Sequence, residues 1–191
     1  MMMRYLLTLF LLVSVAACET TTTGRVDWDR DVDFAAYRSY AWISDHPLIV
    51  AEGTTEVVNP LTEGRVIAAV ERELLVKGYT KVAVGGPADF VLSFTIGTRE
   101  RIRTDSYPDP YFRYSRDWYY PHWRHWHYYD VRTVTRTYTE GTLAIDIFDG
   151  EQKIPVWHGW ATRLVRGSDI RDPEAAINEA VAAIMANFPP G

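Results

Sequence analysis

Cysteine is almost absent from this chain of 191 residues, which contains one. A lone cysteine forms no internal disulfide and cannot build a cysteine-based zinc site. A basic excess is also absent, because 20 lysines and arginines stand against 25 aspartates and glutamates. This balance argues against a general nucleic-acid-binding protein, so no nucleic-acid partner is predicted. Aromatic residues make up 14% of the chain, which is enough core material for one folded domain and argues against disorder.

The apolar run near the N-terminus is too short to cross a membrane. It covers residues 5–15 after the basic Arg4, whereas a membrane-spanning helix needs about 20 apolar residues. A basic start, a short apolar segment and a small-residue exit are typical of a secretory signal. Residues 1–17 are therefore predicted to be a signal peptide.

The exit from that run, residues 15–18 (Val-Ala-Ala-Cys), resembles the bacterial lipobox. The resemblance implies that Cys18 is acylated and begins the mature chain, and that residues 18–25 form a lipidated N-terminus and tether. The alternative is an ordinary signal peptide with a cysteine nearby by accident, but the lack of any other cysteine favours the lipobox. Glu19 replaces the Asp that retains many Gram-negative lipoproteins in the inner membrane. The outer membrane, with the domain facing the periplasm, is therefore favoured over the inner membrane or the cell surface.

Two amphipathic helices are predicted from their caps and their apolar spacing. Asn59 and Pro60 suit the N-cap and the first helical position, and Gly78 suits the C-terminal end of the same helix. The pair Asp172-Pro173 repeats the start signal, and prolines 189 and 190 follow the end of the second helix. The apolar stripes are Val66, Ile67, Val70 and Leu74 in the first helix and Ile177, Val181, Ile184 and Phe188 in the second.

Aromatic and β-branched residues, in part with apolar–polar alternation, predict four strands. The segments are 33–43, 90–97, 131–148 and 154–165. Gly141 is predicted to form a β-bulge, and Asp149-Gly150 a turn between the last two strands. Helices and strands that each have one apolar face predict an α+β fold for residues 26–191. The expected architecture is a single domain, a two-layer sandwich of a mostly antiparallel sheet with two helices packed on one face.

Five short motifs follow one another along the predicted domain. They are DFAAYRSYAW (33–42), LLVKGY (74–79), ADFVL (88–92), GTLAID (141–146) and VWHGWA (156–161). In this order they resemble bacterial lipoproteins that carry a domain of unknown function, the DUF4136 family, over about residues 27–187. The resemblance implies an α+β domain located in the cell envelope. It implies no reaction, because the family has no agreed activity and no recognised catalytic residues.

Aromatic residues and arginines are concentrated between residues 107 and 129. Prolines interrupt this segment and no helical or strand period fits it, so a long loop is predicted at about residues 105–130. In one interpretation the loop folds over the sheet edge and its rings pack on one another. In another, the rings contact a glycan such as peptidoglycan, a membrane surface or a protein partner. The candidate ligand-binding residues are Tyr111, Trp118, Tyr119, Trp123, Arg124 and Trp126.

Three histidines in the same segment indicate an alternative function. His122, His125 and His127 carry imidazole nitrogens that can bind a divalent transition metal, in a metal-handling protein or a metal-assisted periplasmic enzyme. Their spacing differs from that of a helical histidine pair, which weakens this interpretation. The sequence contains no Gly-x-Ser-x-Gly elbow, phosphate-binding loop or His-Glu-x-x-His motif, and its acidic residues form no identifiable catalytic pair.

These patterns predict a lipid-anchored envelope lipoprotein with a non-catalytic binding or structural role. Its membrane contact is expected through acylated Cys18, and the expected partner is an envelope protein or peptidoglycan. No catalytic residue and no cofactor are predicted, and the oligomeric state stays open. Trp157 and Trp160 are predicted to fill the core or cover the sheet.

Overall fold

An open six-stranded sheet with helices on one face is the framework of the protein. The computed structural model describes residues 22–49, 59–108 and 131–190. The strands are β1 (Gly24–Trp28), β2 (Ser39–Trp42), β3 (Thr80–Lys81), β4 (Phe90–Pro108), β5 (Val131–Asp149) and β6 (Pro155–Leu164). The helices are α1 (Pro60–Val76), α2 (Gly167–Arg171) and α3 (Pro173–Met185), and a 3-10 helix covers Phe34–Ala36. The predicted α+β class is confirmed. Within these ranges, no helix has the length and apolar character needed to span a membrane.

The sheet combines an antiparallel part with a parallel edge. Its strand order is β1-β6-β5-β4-β2-β3. The first four strands of this order are antiparallel neighbours, whereas β2 pairs in parallel with both β4 and β3. Parallel neighbours need a crossover connection, and α1 provides it between β2 and β3.

Both long helices begin at their predicted caps. Asn59 Oδ1 accepts a hydrogen bond from Leu61 N at 2.9 Å, and Asp172 Oδ1 accepts one from Ala175 N at 3.0 Å. These bonds satisfy backbone donors that have no partner within the first helical turn. Gly78 follows α1 with a φ of 87°, a left-handed conformation that glycine adopts without steric cost.

The core lies between the sheet and the two long helices. Its buried side chains include Phe90, Leu92, Phe94, Leu143, Ile145 and Ile147 from the sheet, and Val66, Val70, Leu74, Val181 and Ile184 from the helices. Trp42 Nε1 of β2 donates a hydrogen bond to Glu71 Oε1 of α1 at 2.8 Å. A Cβ atom added at Gly159 of β6 would lie 2.7 Å from Ile184 of α3. Both helices therefore cover the same face of the sheet, as predicted.

The predicted strand at residues 33–43 is wrong in its first half. Phe34–Ala36 forms the 3-10 helix, and strand structure is confined to Ser39–Trp42. Asp33 Oδ1 accepts a hydrogen bond from Ala35 N at 3.0 Å. This local bond gives the backbone an alternative to a sheet ladder and favours a turn.

The predicted bulge at Gly141 is also wrong. Gly141 stays in continuous register with both neighbouring strands, and the irregularity lies between Ile147 and Phe148. A Cβ atom at Gly141 would lie 3.3 Å from Val165 Cγ2. The absent side chain therefore makes room for a neighbour, and no extra residue is inserted there.

The β4–β5 hairpin is longer than predicted. Its strands stay paired as far as Pro108 and Val131, so the segment between them is 109–130 rather than about 105–130. In this outer part of β4, residues 99–106 are all charged or hydroxyl-bearing except Ile102. No apolar face results, and strand patterns are recognised by such a face.

The domain begins earlier than residue 26. β1 starts at Gly24, and Thr22 N donates a hydrogen bond to Glu179 Oε1 of α3 at 3.1 Å. Residues 22–25 are thus joined to the domain, although the sequence places them in the tether. The elements β1, β3 and α2 have five residues or fewer, which is too short for a recognisable period.

Candidate functional site

The residues singled out from the sequence lie outside the described ranges. They are Cys18, the candidate ligand-binding residues Tyr111, Trp118, Tyr119, Trp123, Arg124 and Trp126, and the candidate metal ligands His122, His125 and His127. Their roles stay predictions. The structure does describe Pro108 and Val131, the two strand ends that flank residues 109–130, here called the aromatic segment.

The outer part of the β4–β5 hairpin extends beyond the rest of the sheet as a two-stranded ribbon. We define the ribbon as the ten residue pairs from Arg99–Glu140 to Pro108–Val131. At about 3.3 Å per residue it is roughly 30 Å long. β6 ends opposite Glu140, and beyond Tyr138 no other strand of the described ranges pairs with the ribbon.

Cross-strand register gives the ribbon two chemically different faces, because successive side chains of a strand point to opposite sides. One face carries mostly hydroxyl groups and includes Glu100, Ile102, Thr104, Thr135, Thr137 and Thr139. The other, here called the arginine face, includes Arg99, Arg101, Arg103, Asp105, Val134, Arg136, Tyr138 and Glu140.

The base of the arginine face is held by one shared carboxylate. Arg99 Nη2 and Arg101 Nε both donate hydrogen bonds to Glu140 Oε2, each at 2.9 Å. Both bonds lower the pKa of the Glu140 carboxyl below its usual value, and the bond from Arg99 has the larger effect. One carboxylate therefore serves two guanidinium groups.

Farther along, two arginines stand directly opposite each other. Arg103 Nε donates to Asp105 Oδ1 at 2.9 Å, and Arg136 is the cross-strand partner of Arg103. Side chains in such a position have Cβ atoms about 4.5–5.5 Å apart, and like charges there repel. Four arginines against two carboxylates leave this face cationic in a chain whose net charge is −5.

The sheet face without helices carries a polar row across four strands. Ser93, Asp146, His158 and Asp27 are consecutive cross-strand neighbours on β4, β5, β6 and β1. His158 Nδ1 lies 2.6 Å from Asp146 Oδ1, and the imidazole stacks on the Trp160 ring with centroids 5.1 Å apart. The carboxylate and the indole together fix the orientation of the histidine ring. Neither the pairing nor the row was predicted.

This row is not arranged as a nucleophile and its base. Ser93 and His158 are two strands apart, about 10 Å at roughly 4.8 Å per strand, whereas hydroxyl activation needs a contact of about 3 Å. The Ser93 hydroxyl is buried and has no hydrogen-bond partner within the described ranges. Asp146 and His158 can orient a polar ligand at the surface, but the row does not assemble a triad.

An open depression lies at the edge of the sheet beside His158. It has a volume of about 290 Å³ and is lined by Asp27, Trp28, Asp29, Pro155, Val156, Trp157 and His158. The guanidinium of Arg30 lies 4.2 Å from the centre of the Trp28 ring. Ligand pockets are usually concave and about 300–1,000 Å³ in volume, so this depression offers no enclosed site. In the described part of the chain, no three His, Cys, Asp or Glu side chains are grouped to hold a metal ion.

Trp157 and Trp160 lie on opposite faces of β6. Trp157 is buried in the core, and Trp160 is half-buried on the face without helices. The prediction that these rings fill the core or cover the sheet is confirmed.

Two carboxylates at the far end of the sheet hold backbone segments together. Asp89 Oδ2 accepts hydrogen bonds from Arg38 N, Ser39 N and Ser39 Oγ at 2.8–2.9 Å, and Asp149 Oδ1 accepts one from Gln152 N at 2.7 Å. The backbone bond from Arg38 contributes most to lowering the pKa of Asp89, and that from Gln152 most to lowering the pKa of Asp149. Both carboxylates therefore have a structural role, because their oxygens accept hydrogen bonds from neighbouring backbone segments.

We expect Asp89→Asn to weaken the acid dependence of stability. Because the pKa of Asp89 is lower in the folded state than its ordinary value of 3.8, the carboxylate stabilises the fold above about pH 4. That contribution is lost as the pH falls through the folded-state pKa. Urea unfolding at a series of pH values should therefore show a wild-type advantage above pH ~4 that shrinks below it.

The matched control is Asp45→Asn, in an exposed position of the loop after β2. This variant should follow the wild-type pH profile. An Asp89→Asn profile that runs parallel to wild type down to strong acid would show that the carboxylate contributes nothing to folding.

Comparison with known proteins places the chain in a family. The family model for a domain of unknown function, DUF4136, matches residues 25–190. The chain belongs to the DUF4136 family. No curated protein matches it.

Solved structures support the fold of this DUF4136 domain. A DUF4136 family protein from Bacteroides thetaiotaomicron is 19% identical, with a TM-score of 0.54 over 90% of this chain and 97% of that one. A PDZ domain protein from Parabacteroides distasonis is 12% identical, with a TM-score of 0.52 over 89% of this chain. The match covers 36% of that longer protein. At these identities the similarity concerns the fold alone.

Proposed function

We propose that this DUF4136 protein is a lipoprotein anchored in the outer membrane through acylated Cys18, with a non-catalytic binding role in the periplasm. The lipobox resemblance of residues 15–18 and the single cysteine of the chain support the anchor. Thr22, whose backbone is bonded to Glu179, belongs to the domain. At most four residue steps then separate the acylated cysteine from the domain, so the domain works close to the bilayer.

The binding element in this proposal is the aromatic segment, residues 109–130. The observation that carries it is its attachment: the ribbon ends at Pro108 and Val131, roughly 30 Å from the body of the sheet. A segment that packs in the core would not be held at the end of such a ribbon, whereas a binding segment held there can contact a partner at a distance from the sheet. Tyrosine, tryptophan and arginine are the residues that dominate binding interfaces. The partner classes that fit are a glycan such as peptidoglycan, the membrane surface and an envelope protein.

We expect the triple variant Trp118→Ala, Trp123→Ala and Trp126→Ala to lose binding while it keeps its stability. The described core is formed by the sheet, the 3-10 helix and the two long helices, so the fold is expected to persist without the three rings. Truncation of an interface anchor costs about 2 kcal/mol or more, so association should fall at least about tenfold. Co-sedimentation with peptidoglycan, flotation with lipid vesicles and crosslinking in intact envelopes measure the three partner classes, and thermal unfolding measures stability.

Trp160→Ala is the matched control, because Trp160 lies on the sheet and outside the aromatic segment. It should leave association unchanged. A collapse of the thermal transition in the triple variant would show that the segment is structural, and unchanged association with all three materials would remove the binding role.

The alternative is a metal site formed by His122, His125 and His127. Its support is the presence of three imidazoles within six residues of sequence. Elemental analysis of the purified mature chain separates the two functions. A stoichiometric transition metal that is lost in a triple His→Ala variant would favour metal binding, whereas a metal-free protein with unchanged partner binding would favour the aromatic segment.

A further inference from the structure

The N-terminal segment and the ribbon leave the sheet from the same end. β1 begins at Gly24, which pairs with Ala161 of β6, and Ala161 pairs with Leu143 of β5. β5 comes from the ribbon and passes Glu140 three residues before Leu143. With neighbouring strands about 4.8 Å apart, Gly24 lies about 10 Å to the side of β5 near the base of the ribbon.

The next step rests on the proposed lipid anchor, which ties this end of the sheet to the bilayer. Four residue steps separate Cys18 from Thr22, and fully extended they span at most about 14 Å. The ribbon is about twice as long as that reach. Pointed straight at the bilayer, it would drive charged side chains into the hydrocarbon layer, which is costly. A ribbon that lies along the membrane surface, with one face turned towards it, avoids this cost.

The two faces of the ribbon differ in charge, and this difference determines which face contacts the membrane. The arginine face has four arginines and two carboxylates, whereas the hydroxyl face has Glu100 as its one described charge. Anionic lipids attract clustered arginines and repel carboxylates. We propose that the arginine face binds the phosphate groups of anionic lipids and holds the ribbon flat on the membrane surface.

The geometry of the arginine face fits phosphate groups in particular. Guanidinium groups bind phosphate oxygens in pairs, through parallel N–H donors. A phosphate between Arg103 and Arg136 converts their mutual repulsion into two attractions. The side chains of Arg99 and Arg103 are 62% and 68% exposed, so both are accessible to a surface. Tyr138 lies on the same face, and tyrosine is enriched at membrane–water interfaces.

The experiment measures vesicle binding without the anchor. The chain from residue 19 contains every described contact of the domain and carries no acyl group. It is floated with vesicles of phosphatidylcholine alone and with vesicles that also contain phosphatidylglycerol. Wild type is expected to bind the anionic vesicles selectively. Each arginine near an anionic surface strengthens binding about fivefold, so the double variant Arg103→Ala and Arg136→Ala should bind roughly 25-fold more weakly.

The matched control removes the same charge at the opposite end of the sheet, with Arg30→Ala and Lys77→Ala. It should bind like wild type. A double lysine variant, Arg103→Lys and Arg136→Lys, should bind more weakly than wild type but more strongly than the double alanine variant, because lysine keeps the charge without the paired N–H donors. Circular dichroism and thermal unfolding confirm that each variant is folded. Salt should weaken wild-type binding, because the Debye length shortens from about 10 Å at 0.1 M to about 3 Å at 1 M.

Three results would overturn the proposal. They are equal binding by wild type and the double alanine variant, equal losses in that variant and the control pair, and equal binding to neutral and anionic vesicles. A ribbon variant that changes only the self-association of the chain in solution would instead make this face an interface between copies. Fatty-acid labelling of Cys18 in the full chain is scored separately, so a failed anchor and a failed arginine face are told apart.

Discussion

Phe188→Ala is expected to lower the free energy of unfolding by about 3–5 kcal/mol, the usual cost of removing a buried aromatic ring. The Phe188 ring is 1% exposed. It lies with its centroid 5.3 Å from that of Trp157, 5.5 Å from Phe90 and 6.0 Å from Phe34. One side chain after the last helix thus closes the core against the sheet and the 3-10 helix. A domain of this size has a total stability of about 5–15 kcal/mol, so the loss is large.

Urea and thermal unfolding measure this effect. With about 2–4 °C lost per kcal/mol in a domain of this size, the midpoint should fall by roughly 10 °C. Leu75→Ala is the control, because Leu75 lies on α1 with 72% of its surface exposed, and it should change stability by less than about 1 kcal/mol. A Phe188→Ala loss as small as that of the control would mean that the C-terminal residues do not pack on the core in solution.

Phe188 also shows that an apolar period predicts which residues are buried but not where the helix ends. The sequence predicts it as the last residue of the helical stripe, and it is buried as expected, but α3 ends at Met185. Hydrophobic spacing reports which side chains face the core. It does not report where the backbone stops being helical, because a turn can direct the next apolar side chain to the same core.

The helix signals confined to a few neighbouring residues were predicted correctly, with the turn at Asp33 as the exception. The caps at Asn59 and Asp172 depend on side chain–backbone bonds within three residues, and the glycine after α1 depends on the conformation of one residue, so the sequence contains all the information needed. The 3-10 helix after Asp33 depends on a local bond of the same kind, but the aromatic residues that follow imitate a strand. There the local bond determined the backbone conformation.

Cross-strand register could not be predicted from the sequence pattern. Asp146 meets His158 only because the β5–β6 connection has its particular length and because the register shifts between Ile147 and Phe148. A shift of one residue would send every side chain of a strand to the opposite face. Nothing in the alternation of apolar residues fixes that shift, so the polar row on the open face could not be predicted.

The β5 half of the ribbon lies within the predicted strand 131–148, whereas its β4 half was missed for a different reason. A strand is recognised when one of its faces is apolar, and residues 99–106 present three arginines and an aspartate on one side and Glu100, Ile102, Thr104 and Ser106 on the other. Within the described ranges, such a strand is held by its ladder and by the ion pairs with Glu140, and a two-stranded ladder is marginal in water without further packing. An arm of this kind is expected where it packs on something else, which is consistent with the proposed contact with the membrane.

Cys18→Ala is expected to release the protein completely from membranes. The substitution removes the thiol that the lipobox resemblance designates for acylation, so no acyl chain is attached. Each buried methylene contributes about 0.8 kcal/mol to membrane binding, and more than one acyl chain is needed for stable attachment. The arginine face alone, at about 1 kcal/mol per arginine, gives reversible and salt-sensitive binding. Fatty-acid labelling and membrane fractionation in high salt measure the loss.

Thr21→Ala is the control, three residues after the cysteine, and it should keep both the label and the membrane association. The two variants differ at the membrane only if the thiol itself is modified, because neither changes the charge of the chain. Wild-type protein that carries no fatty-acid label would refute acylation. Cys18→Ala protein that stays on membranes in high salt would show that another part of the chain anchors it, and the short reach from Cys18 to Thr22 would then no longer fix the ribbon beside the bilayer.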